Sequence, residues 1–354
     1  MTSTCRRLSA IAGIGIAVLV SAAVYADADC GMVDGLVSIC GRSAPEDIVT
    51  APQGGVLLFG QMGEPGGLYA LDTRDDQVRS LYPLADSKIS AEAGWGEAQC
   101  ERPPDWLSAH GIDLSKRADG RWQLLVVNHQ ERESVEFFEW RGEHKEAFEL
   151  IWRGCVLAPP QGNFNDVAAL PDGGFIVTHM ADKDSEVSSL LLALAGFNSG
   201  YVYRWDAANG FRAVPGTQSR YPNGIILGPD GRSFFLNAYF GNSVTHHDLD
   251  SGRVLGKAQV LRPDNSSWSA SGKLLVASHR GSIWGILNSV RQPVNEVSLL
   301  PFAVVEVDPQ TMTTNDLLER EGPPMGAGTV AVEVGAWYYI GSYLGDRLVK
   351  VPAR

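Results

Sequence analysis

The chain is 354 residues long, 44% hydrophobic and 20% charged, so it can bury a large core and carries no compositional mark of disorder. Its formal net charge of −12 makes nucleic acid a poor partner. The excess of carboxylates suits a cation binder, although a solvated acidic surface accounts for most of them.

At the start of the chain, Arg6 and Arg7 precede an apolar run over residues 8–24, which ends in Val24-Tyr25-Ala26 before Asp27. A positive end, an apolar middle and a small residue at the cut predict a signal peptide over 1–26. The mature chain 27–354 is then a single exported domain, periplasmic or secreted. An uncleaved anchor is the alternative, because the run is only slightly short for a bilayer span of about 20 residues. No later stretch is long and apolar enough to cross a membrane. Cleavage would leave Cys30, Cys40, Cys100 and Cys155, and four cysteines allow three pairings. Closeness in sequence favours Cys30 with Cys40. Nothing resembles paired CxxC zinc spacing.

Further along, six turn signals recur, each followed by an apolar run that reads as a strand. Pro52-Gln53-Gly54 precedes residues 56–59, Asp119-Gly120 precedes 122–127, and Pro171-Asp172-Gly173 precedes 175–177. Pro229-Asp230-Gly231 then precedes 234–236, Ser271-Gly272 precedes 274–277, and Gly335 precedes 337–340. Each glycine supplies the positive φ of a tight turn. Another aromatic-rich strand follows most copies, as at residues 135–140, 201–205 and 302–307. Short strands in repeated units with hardly any helix predict an all-β fold, a six-bladed β-propeller.

Eight residues before the six turn glycines stand Glu46, Ile112, Asn165, Asn223, Asp264 and Ala327, four of which are oxygen donors. Equivalent positions of successive blades face one another across a propeller's channel, so this column becomes a ring. Carboxylates and amides without His or Cys describe a site for calcium, which takes six to eight oxygens. Asn and Asp also simply favour turns and strand starts. The tandem pairs Glu46-Asp47, Asn165-Asp166 and Asp264-Asn265 allow a second ion deeper in the channel. Asn265-Ser266-Ser267 also spells a glycosylation sequon, which a buried ligand could not use.

Of the seven histidines, His110 stands two residues before Ile112 and so beside the proposed ion. His129 ends the strand that returns after that turn, and His279 holds a comparable place after the fifth. An imidazole near a cation-bound carbonyl can act as general base on water, because its pKa lies near neutrality; a structural role is the alternative. No GxSxG elbow, HExxH helix or P-loop lysine pattern occurs in the chain. The available chemistry is an oxygen-ringed cation with imidazoles, which fits metal-assisted hydrolysis.

Taken together, Pro45-Glu46-Asp47-Ile48, Ala109-His110-Gly111-Ile112, Leu124-Leu125-Val126-Val127-Asn128-His129, Asn163-Phe164-Asn165-Asp166, Pro222-Asn223-Gly224-Ile225, Asp264-Asn265 and the ending from Gly328-Thr329-Val330 to Leu348-Val349 carry a resemblance. In order and spacing the chain resembles the paraoxonase and arylesterase lactonases, within the wider gluconolactonase-like calcium propellers. That resemblance implies two calcium ions. Glu46, Asn165, Asn223, Asp264 and Asn265 would hold a catalytic one at the channel mouth. Asp47, Asp166 and the backbone carbonyl of Ile112 would hold a structural one below. It further implies a dyad in which His110 deprotonates water with help from His129, while His279 lines the pocket.

Two departures matter. Vertebrate members of that family close the ring with a disulfide to the last strand, whereas no cysteine follows Cys155 here, so closure must rely on strand pairing. Residues 184–197 read as a short helix over the pocket, where the family is rich in aromatics, so its substrate range does not transfer. The expected activity is calcium-dependent hydrolysis of a small lactone or aryl ester. A sugar-lactone hydrolase and a non-catalytic calcium-stabilised binding propeller are the alternatives.

Overall fold

All six turn glycines of the repeat adopt the left-handed backbone that a Cβ would strain, from φ +59° at Gly335 to +89° at Gly173. A computed structural model of the chain describes residues 30–144 and 147–353. In it each of these glycines joins an innermost strand to the next strand of the same sheet. The expected signal peptide lies outside the described residues.

Six antiparallel sheets form, one per copy of the repeat, making a six-bladed β-propeller. The innermost strands are Ile48–Thr50, Ala109–Lys116, Phe164–Ala169, Pro222–Leu227, Pro263–Trp268 and Gly328–Val334. They neighbour one another in a closed ring. The sixth sheet is completed by the start of the chain: Leu36–Cys40 pairs antiparallel with Arg347–Pro352, Val37 opposite Lys350 and Ile39 opposite Leu348. Strand pairing therefore closes the ring, as expected from the missing C-terminal cysteine.

The second strands are apolar runs rather than alternating ones because both of their faces are buried. Leu57 and Phe59 pack towards the sixth blade, with Val330 and Tyr339. Val56 and Leu58, one residue out of step, pack towards the second blade with Leu124 and Val126. Leu125 and Val127 then pack on the third, against Phe175 and Trp205. Each strand thus feeds two blade interfaces, and the core is a circle of such interfaces.

Two disulfides pin the periphery. Cys30 is bonded to Cys40, the pairing favoured by sequence, and Cys100 to Cys155, which ties a long connection to the outermost strand of the second blade. Because the second closes a separation of 55 residues, replacing both cysteines by serine is expected to cost about 2–5 kcal/mol, read as a lowered denaturant midpoint. A midpoint insensitive to the double replacement would mean that the connection is held by packing alone.

Candidate functional site

Five of the innermost strands carry a β-bulge, and three of the bulges hold the column residues Asn165, Asn223 and Asp264. Register shifts fall between Ala109 and Ile112, Phe164 and Val167, Pro222 and Ile225, Pro263 and Ser266, and Gly328 and Val330. A bulge leaves residues unpaired with the next strand and re-aims their side chains. His110, Asn165, Asp166, Asn223, Asp264 and Asn265 all sit in these gaps. Freed amides are capped across blades: Asp47 Oδ2 accepts from Ile112 N at 2.8 Å and Asp166 Oδ2 from Ile225 N at 2.7 Å. The bulges also bring backbones into close approach. A Cβ on Gly111 would lie 2.5 Å from Asp166 Cα, so glycine is required there.

Two of the three tandem pairs, Glu46-Asp47 and Asn165-Asp166, divide between two tiers, whereas Asp264 and Asn265 stay together in the upper one. Glu46, Asn165, Asn223 and Asp264 line a cavity of about 330 Å3 at one mouth of the channel, with His110 and His279. Asp47, Ile112 and Asp166 line a second cavity, of about 190 Å3, on the other side of the same strands. Asn265 is buried beside the first tier and donates its Nδ2 to Glu46 Oε1 at 2.8 Å, which leaves no room for a glycan.

In the upper tier, Glu46, Asn165, Asn223, Asp264 and Asn265 are between 1 and 6% exposed. Glu46 Oε2 and the Oδ1 atoms of Asn165, Asn223 and Asn265 are buried without a hydrogen-bond partner. Unpaired buried acceptors cost about 1–3 kcal/mol each, so three of them lining one cavity and a fourth, on Asn265, beside it mark a place for a ligand that takes lone pairs. Among the described residues no group of three or more His, Cys, Asp or Glu is poised for a metal. Amides make up the majority of this ring, and neutral and anionic oxygens together suit a hard cation such as calcium. The lower tier differs, because each oxygen of Asp47 and Asp166 already accepts a backbone amide.

Electrostatics point the same way. Burial first, then the nearby carboxylates of Asp47, Asp264 and Asp166, push Glu46 well above the usual carboxylate range. Burial raises Asp264 and Asp166 strongly, each also repelled by Asp47, and Asp47 itself rises to about 7. Four crowded carboxylates favour protons or a cation.

His110 and His129 do form a pair, Nδ1 of the first lying 2.8 Å from Nε2 of the second. On its other side, His110 Nε2 stands 3.2 Å from Asn165 Nδ2 and 3.7 Å from Glu46 Oε1. Burial and the neighbouring His129 push His110 well below its ordinary value, so it is neutral. His129 Nδ1 lies 3.0 Å from both oxygens of Glu133, a residue that sequence reasoning missed because Glu131-Arg132-Glu133 reads as a solvated charge run.

The cavity is roofed by two short helices. α1 (Glu186–Leu194) is the element expected within 184–197, and Glu186 and Leu190 reach the cavity. Ser185 precedes α1 without a side-chain cap bond. α2 (Ile283–Ser289) was not foreseen; Ser282 caps it by accepting from Gly285 N at 3.0 Å. The walls are largely apolar and aromatic, including Tyr221, Phe240, Ile286 and Leu287, without Lys or Arg among the described residues. His279 lines the cavity as expected, 3.5 Å from Asp264 Oδ2 and bonded through Nδ1 to Tyr239 Oη at 2.7 Å. Tyr239 is another member that sequence did not single out.

A family model described as the SMP-30/gluconolactonase/LRE-like region matches residues 116–316, more than half of the chain. No curated protein matches it by sequence. Among solved structures, a gluconolactonase of Xanthomonas campestris superposes with a TM-score of 0.52 at 14% identity, covering 90% of this chain and 89% of its own. A luciferin-regenerating enzyme gives 0.52 at 13%, covering 88 and 91%. A calcium-binding regucalcin of Agrobacterium tumefaciens gives 0.50 at 13%, covering 89 and 92%. At these identities the superpositions establish the fold that the chain shares with them.

Proposed function

Because the chain belongs to the SMP-30/gluconolactonase/LRE-like family, we propose that it is a calcium-dependent lactone hydrolase whose site is the upper tier of the channel. The observation that carries this reading is the set of buried, unpartnered oxygens on Glu46, Asn165 and Asn223, which line one cavity with His110, together with that of Asn265, bonded to Glu46 beside it. With Asp264 these residues would hold the ion. Bound there, calcium would polarise the lactone carbonyl and stabilise the charge that develops on its oxygen.

The chain's own residues do the rest. His110 Nε2 accepts a proton from water as the water oxygen attacks the carbonyl carbon. The ring C–O bond then breaks, the proton passes to the departing alkoxide, and the product is a hydroxy acid. His279, with Tyr239 behind it, bounds the cavity beside Asp264. Apolar walls without a cationic side chain favour an uncharged lactone or aryl ester with a hydrophobic substituent over a sugar lactone, whose hydroxyls would need partners. A second ion in the lower tier, on Asp47, Asp166 and the Ile112 carbonyl, belongs to the same proposal, although no orphaned oxygen there supports it. Export and the absence of a membrane span in the mature chain are also part of the proposal. No helix among the described residues is long and apolar enough to cross a membrane.

The test is turnover of phenyl acetate, an aliphatic lactone and a sugar lactone, each in calcium and in EGTA. Calcium-dependent hydrolysis is expected, with the aliphatic lactone preferred over the sugar lactone. Turnover of none would leave a non-catalytic calcium-stabilised propeller, and sugar lactone alone would shift the substrate class.

A further inference from the structure

We propose that Glu133 is a positioning residue, the third member of a Glu133–His129–His110 chain that fixes both imidazole tautomers so that His110 presents a bare Nε2 to the cavity. This rests on the reading of His110 as proton acceptor. An ionised carboxylate can only accept hydrogen bonds. With both Glu133 oxygens 3.0 Å away, His129 Nδ1 must carry the hydrogen. The 2.8 Å contact between His129 Nε2 and His110 Nδ1 takes one hydrogen, and it sits on His110 Nδ1 because His110 Nε2 is the acceptor of an amide NH2 on its other side. The lone pair of His110 is left on Nε2, the atom that faces Asn165 and Glu46.

The amide is that of Asn165, whose Nδ2 lies 3.2 Å from His110 Nε2; an amide NH2 can only donate, so that nitrogen is bare. The same orientation leaves Asn165 Oδ1 unpartnered on the ring. Glu133 is itself held in place: Phe164 N donates to Oε1 at 2.9 Å and Lys183 Nζ approaches Oε2 at 3.2 Å. Burial alone would raise its carboxyl, but His129, the Phe164 amide and Lys183 keep it below the usual carboxylate value and ionised. Phe164 immediately precedes Asn165, so one carboxylate orients the imidazoles and braces the strand that carries a ring residue. Without it, His129 is free to take the other tautomer, which points a proton at His110 and turns the bare nitrogen away from the cavity.

The test uses the full chain in calcium, labelled with 15N-histidine, with the His129 and His110 signals assigned by their loss in His129→Gln and His110→Gln. In the unsubstituted protein at neutral pH, both rings are expected to show a protonated Nδ1 and a bare Nε2. Glu133→Gln keeps an acceptor for Phe164 N, so it is expected to fold while mixing the tautomers. Its kcat on the preferred lactone is expected to fall about 10–100-fold with KM within about twofold. A protonated Nε2 on His129 in the unsubstituted protein, or a folded Glu133→Gln with unchanged kcat, would overturn the proposal. Should the unsubstituted protein hydrolyse no lactone, the functional reading fails, and the nitrogen shifts still decide the role of Glu133.

Discussion

Chelation with EGTA is expected to abolish lactone hydrolysis and to lower the unfolding temperature, with a loss that grows as pH rises. Glu46, Asp47, Asp166 and Asp264 are buried together and all have raised pKa values, Asp47 near 7. A carboxyl whose folded pKa exceeds its unfolded value of about 4 binds protons more tightly in the folded state. Its stabilisation is complete below that unfolded value and disappears as pH climbs through the folded one. The chelated protein should therefore be more stable at pH 5 than at pH 8. Calcium, which favours the ionised forms, should restore stability most at pH 8, by about 4 kcal/mol when it exceeds its Kd a thousandfold. Differential scanning fluorimetry in calcium and in EGTA at the two pH values makes the comparison, and equal unfolding temperatures at pH 8 would remove calcium from the structure. Asp264→Ala should reproduce part of the loss in both activity and stability; if neither changes, Asp264 is not a ligand.

Replacing His110 by glutamine should lower kcat by about 10²–10⁴-fold while calcium binding and the unfolding temperature stay near those of the unsubstituted protein. Burial keeps the imidazole neutral, and it stands between the ring and His129. Glutamine can replace its hydrogen bonds but cannot accept and return a proton at neutral pH. Steady-state kinetics with bound calcium measured in parallel separate the outcomes. Unchanged kcat would move the base elsewhere, and lost calcium would make His110 part of the ion site.

Much of the site was legible because its determinants are local. A glycine at positive φ is demanded by the turn that it makes, and eight residues back along a short strand lies the bulge that faces the channel. Counting from Gly173, Gly231 and Gly272 therefore finds Asn165, Asn223 and Asp264, which line one cavity, although they are far apart in sequence. Glu133 was not legible, since its partners Phe164 and Lys183 lie in the next blade. Neither was α2, which covers the cavity with Ile286 and Leu287 from a connection without a turn signal of its own.

By itself the amino-acid sequence determined the number of blades and which residues reach the axis, because turn chemistry and strand alternation act over a few residues and repeat. Only the tertiary structure decided that Cys100 meets Cys155, that a second helix covers the cavity, and that a carboxylate stands behind the two histidines. Those outcomes depend on which side chains from separate blades come within a few ångströms after the ring has closed, and no short-range pattern encodes that distance.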